Sequence, residues 1–156
     1  MKSELKKEFA MRISQANNVQ MIIIGYEMAE TYLQDAMDSK EDEASYVGNI
    51  ELASKCIDEL KANLHYEYEP AKALKDLYVY MKAKLRDAKY DKKYEALAEV
   101  KGHLASLREA YESVKDADTS APLMSNTQSV VTGITYGRNQ VLDELSNDSG
   151  NRGYLV

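Results

Sequence analysis

Across residues 94–114, Leu97, Val100, Leu104, Leu107, Tyr111 and Val114 recur in alternating steps of three and four, with Lys101, Arg108, Glu109 and Glu112 between them. An α-helix turns once in ~3.6 residues, so these steps place all six apolar side chains on one lengthwise stripe. A stripe that narrow belongs to a helix lying along other helices rather than one resting on a sheet. Gly102 falls in the middle of it. Glycine costs ~1 kcal/mol relative to alanine inside a helix, so its presence predicts a neighbouring backbone too close for a side chain.

Three earlier segments show the same spacing. Asn17 followed by Gln20 has the form of a capping box and opens a first helix reaching about Met37. Ile22, Tyr26, Ala29, Leu33 and Ala36 form one face of it, widened by Ile23, Ile24 and Met28. Ser39 is the expected N-cap of a second helix over residues 41–64, striped by Val47, Ile50, Ala53, Ile57, Leu60 and Leu64. Pro70 suits a first helical turn and opens a third, striped by Leu74, Leu77 with Tyr78, Met81, Leu85 and Ala88. Asp91 is the expected cap of the fourth, which runs to about Lys115. Turns of a few residues force neighbours to be antiparallel, so the expected fold is all-α, an antiparallel up-down-up-down four-helix bundle over residues 1–115.

Both ends lie outside this pattern. Leu5, Phe9 and Ile13 are spaced four apart on a charged background, in a segment too short to be a stable helix by itself. Residues 1–16 are therefore expected to be a short N-terminal lid segment. Residues 116–156 hold five acids and two arginines, with Gly133, Gly137, Gly150 and Gly153, and they read as a C-terminal extension. Its apolar patches at Val130, Val131 and Ile134, and at Val141, Leu142 and Leu145, have helical spacing and need a surface to lie on.

Composition removes several classes of function. The longest apolar run, Met21-Ile22-Ile23-Ile24, stops at Gly25, far short of the ~20 residues of a membrane span. Residues 1–8 mix acids with lysines and show no secretory pattern, and a single cysteine, Cys56, fits a reducing cytoplasm. A net charge of −6 argues against a nucleic-acid binder. Residues 70–93 are the exception, with eight Lys and Arg against Asp76, Asp87 and Asp91, a bias that reads as a solvated face. A di-iron bundle needs Glu-x-x-His pairs, but neither His65 nor His103 has Glu three residues before it, so no metal and no cofactor is expected. There is no phosphate loop, no Gly-x-Ser-x-Gly elbow and no oriented Cys–His pair, so the chain does not read as an enzyme.

Three stretches together resemble the flagellin-specific export chaperones, the FliS family. They are the polar cap and apolar helix of residues 13–26, then Glu59-Leu60-x-x-x-Leu64 with Leu77-Tyr78-Val79-Tyr80-Met81-x-x-x-Leu85-x-x-Ala88, then Glu99-Val100-Lys101-Gly102-His103-Leu104-x-x-Leu107-Arg108-x-x-Tyr111. The departures are Leu5, Phe9 and Ile13 in place of the family's tyrosine-containing opening, Asn18 where a proline is common, and the added residues 116–156.

The resemblance implies a cytoplasmic chaperone that binds the disordered C-terminal segment of flagellin, prevents premature polymerisation and delivers it to a component of the export gate. A bundle with surplus apolar side chains suits such a client by taking an amphipathic helix into a groove. The groove candidates are Ile23, Tyr32, Tyr46, Ile50, Ile57, Leu77, Tyr80, Leu85 and Tyr94, and Tyr90 is a further exposed ring. Tyrosine suits a half-wet groove because it offers an apolar face and a hydroxyl, whereas Tyr26, Tyr78 and Tyr111 lie on core stripes. The lid residues are Leu5, Phe9 and Ile13, and the tail candidates are Val130, Val131, Ile134, Val141, Leu142 and Leu145. No nucleic acid and no membrane insertion is expected, and the chain is expected to be a monomer or a weak or swapped homodimer. The alternative is a non-enzymatic helical scaffold or homodimerising regulator without a flagellin client.

Overall fold

The computed structural model describes residues 1–65 and 69–124. Among them every regular element is helical: α1 (Ser3–Gln15), α2 (Asn18–Asp38), α3 (Glu43–Ala62), α4 (Glu69–Asp91) and α5 (Glu95–Glu112), with a 3₁₀ turn at Lys115–Ala117. The chain divides into two compact units. One comprises residues 25–109, the other residues 1–24 with the described residues from 110 onward.

The unit of residues 25–109 is an antiparallel bundle of four helical segments, and its cross-links give the direction of each. Along α3 the residues Glu43, Glu51 and Asp58 pair in turn with Lys92, just past the end of α4, and with Lys89 and Lys82 on it, so the partners descend as α3 ascends. Glu30 and Gln34 of α2 pair with Arg108 and Lys101 of α5 in the same inverse order. Tyr26 and Tyr78 join α2 to α4 through a hydrogen bond between their buried hydroxyls. The interior is filled by much of the expected stripes: Leu33, Ile50, Ile57, Met81, Leu85, Leu97, Val100 and Leu104 are buried. The last stripe fades towards its end, where Leu107 and Tyr111 are half-buried and Val114, past the end of α5, is 52% exposed.

The glycines are placed otherwise than the sequence predicts. A Cβ built on Gly102 meets nothing within 4 Å, so no neighbouring backbone approaches it. The close approach is at Gly25, where a Cβ would stand 3.0 Å from Leu60 Cδ2 of α3. Gly102 faces outward because it sits two residues past Val100, off the buried stripe.

Two caps also move. Asp42, not Ser39, is the N-cap of α3: its carboxylate accepts from the Ser45 N–H at 3.4 Å and the Ser45 hydroxyl at 2.7 Å. These bonds hold the Asp42 carboxyl below its ordinary pKa. The Ser39 hydroxyl turns back and donates to the Asp35 carbonyl at 2.7 Å, closing α2. Asp91 ends α4 rather than capping α5. Lys92 follows it with φ 56°, a left-handed conformation common just after a helix. The Lys92 ammonium lies 2.5 Å from Glu43 and 4.7 Å from the centre of the Tyr46 ring, contacts that a glycine there would not make.

In the other unit, Asn17 and Gln20 form the predicted capping box in full. The Asn17 N–H donates to Gln20 Oε1 and the Gln20 N–H donates to Asn17 Oδ1, both at 2.9 Å. Residues 3–15 are a helix that buries Phe9, Ala10, Ile13 and Ser14. The chain beyond α5 returns to the α1–α2 junction, where the Leu123 N–H donates to the Ala16 carbonyl at 2.9 Å.

Candidate functional site

The nine groove candidates separate by burial. Ile23, Tyr32, Tyr46, Ile50, Ile57 and Leu85 are buried, Leu77 and Tyr94 are half-buried, and Tyr80 is 42% exposed. The expectation of exposed rings at Tyr32 and Tyr46 is therefore corrected. Tyr32 lies one turn beyond Met28 on the buried face of α2. Tyr46 is held inside because its hydroxyl donates to the Ala88 carbonyl at 2.7 Å and its ring meets Tyr94 edge-on at 5.4 Å. Of the lid residues, Phe9 and Ile13 are buried and Leu5 is half-buried. The tail candidates Val130, Val131, Ile134, Val141, Leu142 and Leu145 lie outside the described residues.

Two of the candidates line one groove. Ile50 and Leu85 contribute to the floor of a groove of about 530 Å³ along α3 and α4. Its α4 wall is the row Val79, Ala83, Arg86 and Tyr90. These positions are spaced four, three and four apart, one outward stripe of three turns, ~16 Å long. Val79 is 50% exposed and Tyr90 68%, large for apolar side chains mid-helix. The facing α3 wall carries Glu51, Ser54, Lys55, Asp58 and Lys61.

The rim of this groove is basic. Five Lys and Arg side chains line it against only Glu51 and Asp58. Lys82 reaches Asp58 at 2.6 Å and Lys89 reaches Glu51 at 2.9 Å, so each acid is engaged across the groove. Its hydrogen bond to Glu51 raises the Lys89 pKa. Arg86 is exposed and forms no ion pair among the described residues.

A second surface feature involves Tyr80. Its hydroxyl donates to Glu99 Oε1 at 2.5 Å, Lys84 stands 3.4 Å from the other Glu99 oxygen, and His103 meets the Tyr80 ring edge-on at 6.1 Å. The Tyr80 hydrogen bond, then the Lys84 charge, holds the Glu99 carboxyl below its ordinary range. The latch ties α4 to α5 and leaves the Tyr80 ring half in solvent.

Cys56 is buried, and burial pushes its thiol pKa up, away from reactivity. Among the described residues no three His, Cys, Asp or Glu side chains are grouped to hold a metal ion. No described helix is long and apolar enough to cross a membrane. An apolar floor with a charged rim is suited to an amphipathic helix.

Sequence reasoning missed Val79 and Arg86 as groove residues. The signal was present: Val79, Ala83 and Tyr90 repeat on α4 beside the core stripe, and the basic excess of residues 70–93 supplies the rim. Each reads as unremarkable alone and gains meaning when α3 forms the second wall.

The sequence profile of the family described as "Flagellar protein FliS" matches residues 1–118. No curated protein matches the chain.

Proposed function

The chain belongs to the FliS family of flagellar export chaperones, and from that premise we propose that it binds the disordered C-terminal segment of flagellin in the cytoplasm, keeps it from polymerising, and hands it to a component of the export gate. The observation that carries the reading is the α3–α4 groove, which leaves Val79 and Tyr90 in solvent. Flagellin's terminal segment, disordered before assembly, gains helical structure by laying its apolar side into such a groove. Residues 1–115 carry the client in this reading, and residues 116–156 are an extension. Residues 1–16 are the lid segment of this reading, with Leu5, Phe9 and Ile13 as its apolar face.

Calorimetry of the full chain with the cognate flagellin C-terminal fragment tests the proposal. A one-to-one complex with a negative heat-capacity change is expected, because apolar surface leaves water on both partners. No complex at tens of micromolar overturns it.

A further inference from the structure

The α3–α4 groove differs from a merely apolar slot in its charge. The molecule carries −6 overall, yet five cations line this groove against two acids. Both acids are already met by Lys82 and Lys89. The excess is concentrated where Val79, Ala83 and Tyr90 offer an apolar strip three turns long. Arg86 interrupts that strip between Ala83 and Tyr90 and is left without an ion-pair partner among the described residues. The bundle itself uses part of this surface, since Lys82 and Lys61 meet Asp58, and Lys89 meets Glu51 and lies 4.9 Å from the centre of the Tyr90 ring. Val79 left half in solvent still costs solubility, and Arg86 adds a charge that no acid among the described residues meets. A partner that supplies apolar side chains to the strip and carboxylates to the rim removes both costs.

We infer that the α3–α4 groove selects an acidic amphipathic helix of about three turns, with Val79, Ala83 and Tyr90 taking its apolar face and Arg86 taking a carboxylate from its flank. The inference rests on the reading of flagellin as client and names which part of the client this groove accepts: a helix-forming stretch with Asp or Glu beside its apolar positions. Arginine suits the central place because its planar fork binds a carboxylate through two parallel hydrogen bonds. The surrounding lysines add a field that steers the acidic segment in and weakens with salt.

Fluorescence anisotropy tests this with the full chain and a labelled flagellin C-terminal fragment. Arg86→Glu is compared with the unaltered protein, and the fragment is compared with one whose Asp and Glu are changed to Asn and Gln. Arg86 is exposed, so the variant is expected to keep its fold, checked by circular dichroism. At about 50 mM salt each change is expected to weaken binding roughly tenfold, shrinking to under about threefold at about 500 mM. Combining the two changes is expected to cost less than the product of both, because they remove one shared interaction. If the fragment binds but neither change moves the affinity by more than about twofold, charge selection is wrong and the client reading stands. If the unaltered fragment does not bind at all, the client reading itself falls and takes the inference with it. If Arg86→Glu instead abolishes self-association of the free chain, a second copy fills the groove and the inference is overturned.

Discussion

Three glycines in helices have environments different enough to be ranked by a single methyl group. Gly102 in α5 and Gly48 in α3 have nothing within 4 Å of an added Cβ. At these sites alanine changes only backbone propensity, and each substitution is expected to stabilise by ~0.5–1 kcal/mol. Gly25 is different. Its Cβ would lie 3.0 Å from Leu60 Cδ2 and 3.4 Å from Leu60 Cγ. Leu60 is only 7% exposed and has little room to withdraw. The same propensity gain is then set against ~1–3 kcal/mol of overpacking, leaving a net loss of up to ~2 kcal/mol. For a chain of this size 1 kcal/mol moves the melting temperature by ~2–4 °C. Thermal unfolding followed by circular dichroism should place Gly102→Ala and Gly48→Ala above the unaltered protein and Gly25→Ala below it. A fall for Gly102→Ala, or a rise for Gly25→Ala equal to that of Gly102→Ala, refutes the packing argument.

Arg108 binds Glu30 through Nε at 2.7 Å and Nη2 at 3.4 Å, with only 13% of the Glu30 side chain exposed. Lysine cannot reproduce that fork, so Arg108→Lys is expected to cost ~1–2 kcal/mol by urea unfolding; a cost below ~0.3 kcal/mol would show the pair to be worth no more than a surface contact. The Tyr46 hydroxyl has its pKa pushed up to about 12, first by burial and then by Tyr94 and Glu43. An acid that holds its proton longer when folded contributes stability that is intact below its ordinary value of 10 and is lost as the pH rises from there towards about 12. Urea midpoints should therefore fall more steeply above pH 10 for the unaltered protein than for Tyr46→Phe, and parallel curves would refute the assignment.

How far the fold was legible depends on what each signal measures. Stripe spacing depends only on the helical period, which the chain carries locally, so the four bundle helices and most of their buried faces follow from it, while Val114, in register but past the end of α5, is exposed. The Asn17–Gln20 box was legible for the same reason, since both partners lie within one turn. Ser39 and Asp42 were harder. Both are good caps three residues apart, and the choice fell to Asp42 because Ser39 is used to close α2. Gly102 and Gly25 show the limit most plainly. Sequence says that a glycine costs stability in a helix, but the benefit depends on what stands opposite, and Leu60 is thirty-five positions away from Gly25.

The candidate site lies past that limit. A groove is a relation between two helices, and the Val79, Ala83 and Tyr90 row of α4 has no second wall until α3 lies beside it. Tyrosines at helical spacing therefore divided in a way that their identity does not foretell. Tyr46 finds the Ala88 carbonyl as its acceptor across a helix pair and is drawn inside. Tyr90, on the groove wall, remains 68% exposed. The buried tyrosines fix the bundle's alignment, since their hydroxyls are met by one particular register of the neighbouring helix. That separation lets the outer face of α4 hold apolar and basic side chains in water without the core depending on them.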